Sequence, residues 1–340
     1  MSFRHQQLTP AAVAILAALS MGAMRAAAGI NQWTLVDEVP GSAYDVAVDP
    51  VRPSTVYAIA AGKPAAFYTS VDAGASWKVI APRFRDPLRC VVVDKLVIDP
   101  RFPRTLYLIW EGDRGIGCHD DTLPSAARSM DGGNTWDFTF GPVAAFPFGI
   151  NGVNVIDIVI DPSDSSRLYV LTGYNPGLPS NEAVLESEDG GETWQKAGRG
   201  LPPGDTSTTF GFHATSLAVD PTAPNHLLLG GDDGNLYTSR NGAQSWHLRA
   251  PGPVASAGGS ATFGYPAALF FDPERPAIVY AYSNSTLEFF QSLDGAKTWS
   301  SLVIGLPGTV SGVAVDPRGH EKIYAASSNG LFEITLSRTR

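Results

Sequence analysis

The chain has 340 residues, more than the roughly 250 to 300 at which one hydrophobic core stops growing, so two domains or a repeat array are expected. Its formal charge of −9 makes it a poor general binder of nucleic acid or anionic membrane. It holds two cysteines and no Cys-x-x-Cys, which argues against a thiolate-ligated metal site.

The first 28 residues carry Arg4 and His5, an apolar run from Ala11 to Leu19, and Ala26-Ala27-Ala28 before Gly29. That is the layout of a secretory signal peptide, and the run is short of the roughly 20 residues a membrane span requires. Residues 1–28 contain two Arg and no acid, so their removal moves the formal charge from −9 to −11. The mature chain, 29–340, is therefore expected in the periplasm or outside the cell, without stable insertion in a membrane.

Two repeats organise the rest. One is an apolar strand that ends on Asp-Pro, with the Asp at 49, 99, 161, 220, 272 and 316; the successive intervals are 50, 62, 59, 52 and 44 residues. These spacings lie close to or somewhat above the ~40 to 50 residues of a four-stranded propeller blade. Pro cannot donate to a ladder, so each Asp-Pro ends its strand. A second apolar strand follows within a few residues, as in Thr55-Val-Tyr-Ala-Ile59 and Arg167-Leu-Tyr-Val-Leu171.

The other repeat is a turn. Ser129-Met-Asp-Gly-Gly-Asn-Thr-Trp136 returns as Ser187-Glu-Asp-Gly-Gly-Glu-Thr-Trp194, with looser copies at Ser70 to Trp77, Ser239 to Trp246 and Ser292 to Trp299. An Asp carboxylate accepts nearby backbone N–H groups, Gly admits positive φ, and the Trp opens the next strand. Asp72, Asp131, Asp189, Asn241 and Asp294 are thereby given structural roles. In the fourth and fifth copies Ala243 and Ala296 replace Gly, and the neighbouring Gly242 and Gly295 are expected to take the left-handed conformation instead.

Six Asp-Pro strands stand beside only five Asp turns. The last repeat ends at Gly330-Leu-Phe-Glu-Ile-Thr-Leu336, and Asn31-Gln-Trp-Thr-Leu-Val36 resembles the missing Trp-led strand. The expectation is an all-β, six-bladed propeller of four-stranded antiparallel blades whose N-terminal strand closes the last blade. A two-sheet sandwich is the alternative.

Ser-x-Asp-x-Gly-x-Thr-Trp with the Asp-Pro strands resembles the Asp-box, or BNR, repeat propellers. That group includes sialidases, xyloglucan-degrading endoglucanases, sortilin-type receptor ectodomains and a photosystem II assembly factor. The resemblance covers 31–340 and implies the fold, whereas the tasks within the group differ. It also implies that the Asp turns lie away from the usual active site. The Phe/Tyr-Arg-Ile-Pro segment of sialidases is missing, so classical sialidase activity is not expected.

With the four strands of each blade lettered A to D from axis to rim, the turns A-to-B and C-to-D share one face, and the long D-to-A and B-to-C loops share the other. Cys90 and Cys118 both fall on the long-loop face, where an exported compartment allows a disulfide; two unpaired thiols are the alternative. Around them cluster Arg83, Arg85, Arg89 and His119, with His213, Tyr174 and Tyr265 in other loops, as candidate ligand-binding groups. Glu111, Asp120 and Asp121 are candidate catalytic carboxylates, because a raised-pKa acid beside an ionised carboxylate suits glycoside hydrolysis. The bland alternative is that these loop charges pair among themselves. No metal site or cofactor is expected. Two functions remain: an exported propeller that binds, and in one version hydrolyses, a glycan; or a non-catalytic module whose partner is an envelope protein.

Overall fold

The structure is a computed structural model that describes residues 32–36, 38–60, 66–80, 93–110, 126–137, 155–172, 184–202, 212, 214–251, 268–283, 288–304, 308–317 and 322–336. These form a six-bladed propeller of antiparallel sheets. Blade 1 is β2 (Ala43–Val48), β3 (Val56–Ala60), β4 (Ala66–Ser70) and β5 (Lys78–Ile80). Blade 2 is β6 (Val93–Ile98), β7 (Leu106–Trp110) and β8 (Ala126–Ser129), its fourth strand reduced among the described residues to an Arg128–Asp137 bridge. Blade 3 is β9 (Val155–Ile160), β10 (Leu168–Thr172), β11 (Val184–Ser187) and β12 (Gln195–Lys196).

Blade 4 is β13 (Ala214–Val219), β14 (Leu227–Gly231), β15 (Asn235–Ser239) and β16 (His247–Pro251). Blade 5 is β17 (Leu269–Phe271), β18 (Val279–Ser283), β19 (Glu288–Ser292) and β20 (Ser300–Ile304). Blade 6 is β21 (Val310–Val315), β22 (Lys322–Ser327), β23 (Gly330–Thr335) and, from the other end of the chain, β1 (Thr34–Leu35). Closure is explicit in the register: Thr34 pairs with Glu333 and Leu35 with Phe332. The Val36 N–H extends the pairing by donating to Leu331 O at 2.8 Å.

The second strand of each blade is buried on both sides, which is why Val-Tyr-Ala-Ile-Ala and Leu-Tyr-Val-Leu-Thr read as continuous rather than alternating apolar runs. Apolar burial is distributed between the blades, in six clusters that each span one interface. Tyr169, Leu171 and Val184 of blade 3, for example, pack on Leu217, Leu229 and Trp246 of blade 4. Tyr282 and Phe289 of blade 5 meet Ile323 and Ile334 of blade 6, with Trp33 against them.

The repeated turns cap one end of the ring. Asp49, Asp99, Asp161, Asp220 and Asp272 are buried, and each Oδ1 accepts two N–H groups of its own turn; for Asp49 these come from Val51 and Arg52, both at 2.9 Å. In the Asp turns the buried Ser hydroxyl donates to the Asp and accepts an N–H. Ser187 Oγ donates to Asp189 Oδ1 at 2.8 Å and accepts Gly191 N–H at 2.9 Å. Asp189 then accepts both the N–H and the hydroxyl of Thr193. The Ser76 hydroxyl at Asp72, the Thr135 N–H at Asp131 and the Thr193 hydroxyl at Asp189 each pull the carboxyl down to about 2. Thr298 lowers Asp294 in the same way.

Each Asp turn is pinned to the A-to-B turn of its own blade, as by Ala73 N–H to Ser54 O at 2.8 Å and Gly190 N–H to Ser166 O at 2.8 Å. In four blades the carbonyl of the residue after the Asp or Asn is also held from the preceding blade. Lys322 Nζ and Tyr324 OH donate to Ala73 O, Arg128 to Gly190 O, Arg167 to Gly242 O and Arg249 to Gly295 O.

Gly242 and Gly295 are left-handed as expected, but they do not relieve their neighbours. Ala243 and Ala296 have φ of 61° and 65°, and Ala73 has 57°. The turn requires two successive left-handed residues, so each Ala carries about 1–2 kcal/mol of backbone strain. Ala73→Gly is therefore expected to stabilise the fold by about 0.5–1 kcal/mol after the unfolded-state entropy of Gly is counted. Ser187→Ala is expected to cost about 1–3 kcal/mol by orphaning a buried N–H. Urea midpoints of the two variants check both signs.

Candidate functional site

Counting back four residues from the Asp of each Asp-Pro gives Asp45, Lys95, Asp157, Ser216, Ala268 and Gly312. Five of these lie on the innermost strands and Ala268 immediately precedes one, so they form a ring around the axis near the end opposite the Asp turns. In β2, β6, β9, β13 and β21 a register shift falls just before this position, with Tyr44, Asp94, Ile156, Thr215 and Ser311 as the extra residues. Bulges re-aim the side chain that follows, and they are over-represented beside functional sites.

The ring is polar across four adjacent blades. Lys95 Nζ lies 2.5 Å from Asp157 Oδ1. Asp45 Oδ2 accepts the N–H of Leu96 at 2.7 Å, and Asp157 Oδ2 reaches the N–H of Leu217 at 3.4 Å, so each carboxylate bridges to the next blade. On the other side a Cβ at Gly312 would fall on the Asp45 carboxylate, so this position has room only for Gly. Asp45, Asp157 and Ser216 are 3%, 3% and 4% exposed, whereas the Lys95 side chain is 33% exposed and is the member that solvent reaches.

Burial raises the Asp45 carboxyl to about 7, against the pull of Lys95 and the Leu96 N–H. Asp157 is paired directly with the Lys95 ammonium. The arrangement thus sets a carboxylic acid that holds its proton near neutrality close to an ion-paired carboxylate, which is how acid and base roles are separated in many active sites.

Glu111, Asp120, Asp121, Arg83, Arg85, Arg89, His119, His213, Tyr174, Tyr265, Cys90 and Cys118 all lie outside the described residues. At the same end, Asp233 is used locally: its carboxylate accepts Asn235 N–H and the Tyr237 hydroxyl, the latter at 2.6 Å. Phe212 packs edge-on to Tyr237 with centroids 5.3 Å apart, which makes it an anchor for its loop. At the Asp-turn end a polar groove of about 740 Å³ separates blades 3 and 4. Of the two arginines in its wall, Arg167 and Arg240, the first is spent on Glu186, Asn225 and Gly242 O and acts as an inter-blade staple. Among the described residues no group of three or more His, Cys, Asp or Glu is placed to hold a metal ion, and no helix is long and apolar enough to cross a membrane.

No protein-family profile matches the chain. Among curated proteins it is similar to a xyloglucanase of Acetivibrio thermocellus, 27% identical over 295 residues, which cover 76% of this chain and 32% of that enzyme. It is also similar to a probable oligoxyloglucan-reducing end-specific xyloglucanase of Neosartorya fischeri, 29% identical over 191 residues, 53% of this chain and 22% of the relative. The chain therefore spans between about a fifth and a third of the length of these relatives.

Three solved structures share the fold. The GH74 xyloglucanase of Xanthomonas campestris matches with a TM-score of 0.53 and 20% identity, over 87% of this chain and 45% of that one. A gluconolactonase from the same organism matches at 0.58 and 13%, over 93% of each chain. YCF48 from Cyanidioschyzon merolae matches at 0.52 and 12%, over 89% of this chain and 98% of that one. At these identities the likeness concerns the fold alone, and it spans proteins of different names and tasks.

The raised Asp45 carboxyl has a stability signature. Its contribution is fully present below the unfolded value of about 4 and is lost as pH rises through about 7. Denaturant midpoints taken at pH 5 and pH 8 should thus differ, with the lower pH more stable, and the difference should shrink in Asp45→Asn. An unchanged difference in that variant would show that Asp45 is not the group responsible.

Proposed function

We propose that this ring is an exported carbohydrate-active propeller that binds a glycan of the xyloglucan class on its long-loop face and hydrolyses it. The observation that carries this reading is the similarity to a xyloglucanase across 76% of the chain. The xyloglucan relatives include the two quoted above, from a bacterium and a fungus, so the likeness does not rest on one protein. Glu111, Asp120 and Asp121 are the proposed carboxylates of the reaction, one to protonate the leaving oxygen and one to assist water or attack directly. Arg83, Arg85, Arg89, His119, His213, Tyr174 and Tyr265 are proposed to hold the sugar, and a Cys90–Cys118 bridge to hold the loops.

A non-catalytic module is the second reading. In it the same loop groups clasp an envelope protein instead of turning over a glycan.

The purified chain should bind xyloglucan oligosaccharides by titration calorimetry and release new reducing ends from xyloglucan. Asp121→Ala should lower the rate by about 100-fold or more while leaving affinity within a few-fold, as expected for loss of an acid or base group. Binding without release favours the module. Neither binding nor release, on xyloglucan or on other β-glucans, overturns the proposal.

A further inference from the structure

Ser216 Oγ is buried and meets no hydrogen-bond partner among the described residues, whereas Asp45, Lys95 and Asp157 at the same register are all engaged. A buried hydroxyl left unpaired costs free energy, and native structures seldom retain one without a water or a ligand to use it. Ser216 occupies the ring position next to Asp157, whose Oδ2 points to the N–H of the following residue, Leu217. The hydroxyl and the carboxylate therefore adjoin across blades 3 and 4. Lys95 has three N–H donors, and the described residues supply one direct partner, Asp157.

We infer that Asp45, Lys95, Asp157 and Ser216 form a binding subsite at the loop end of the axis, for an uncharged polyhydroxyl group such as the terminal pyranose of a glycan. The inference rests on the glycan reading above and names where one sugar ring is held. The donor set chooses among ligand classes. A divalent cation is disfavoured because the Lys95 ammonium already occupies the Asp157 carboxylate. An anion is disfavoured because two carboxyl groups flank Lys95, the only cation of the arc among the described residues. A sugar hydroxyl both donates and accepts: it can accept from Lys95 and Ser216 and donate to Asp157, which leaves the arc neutral and its polar atoms paired. Lys95 is the exposed member of the set and Ser216 a buried one.

Two measurements on the full chain, with a xyloglucan oligosaccharide as the probe, test this. In the first, lysines are acetylated with and without saturating oligosaccharide and followed by mass spectrometry. Lys95 should be protected at least roughly fivefold, while Lys78 and Lys297, exposed at the rim and at the Asp-turn end, react as before. In the second, Ser216→Ala should leave the urea midpoint unchanged or raised, because the hydroxyl pairs with none of the described residues, and should weaken binding roughly five- to tenfold. If wild type binds the oligosaccharide but either readout stays unmoved, the subsite is wrong and the glycan reading stands. If wild type binds no glycan, the glycan reading fails and the subsite fails with it.

Discussion

The ring depends on backbone carbonyls and N–H groups being satisfied at sharp corners. An Asp turn carries the chain between two strands with its buried N–H groups paired, because one Ser hydroxyl and one carboxylate take up the amides of the turn. The same corner then offers a carbonyl outward, and a cation of the preceding blade takes it: Lys322, Arg128, Arg167 and Arg249 each reach across an interface in this way. A charge-assisted hydrogen bond is directional, whereas the apolar clusters between blades are not. The clusters supply most of the adhesion, and the bonds to the corners set the angle at which one blade meets the next.

This division explains why the architecture was legible. A corner needs specific residue types at fixed offsets, so Ser, Asp, Gly and Trp recur in the chain and their spacing counts the blades. The spare strand at Trp33 was legible for the same reason, since five corners and six Asp-Pro strands leave one partner missing. The tolerance of the corner was less legible. Ala73, Ala243 and Ala296 all sit at positive φ, and the neighbouring glycines do not absorb the strain; hydrogen bonds on both sides over-determine the backbone there.

The axial arc escaped the sequence reading because nothing repeats in it. Asp45, Lys95, Asp157, Ser216 and Gly312 share a position but not a residue type, and they lie in mainly apolar strands where scattered polar residues look incidental. The signal was a column rather than a motif: aligning the six Asp-Pro strands on their Asp and reading four places back brings the arc together. The loop candidates were found by the opposite route, from crowded charge in long segments, which locates a face but not the convergence of side chains.

A buried carboxylic acid, an ammonium and a second carboxylate are expensive at the centre of a domain, where apolar side chains of similar size would often serve stability as well or better. The other two ring positions, Ala268 and Gly312, show that this column does not require charge for the propeller to close. The polar groups are concentrated in blades 1 to 4. All four members come from inner strands of a single ring, so a function carried by that arc would belong to the ring itself.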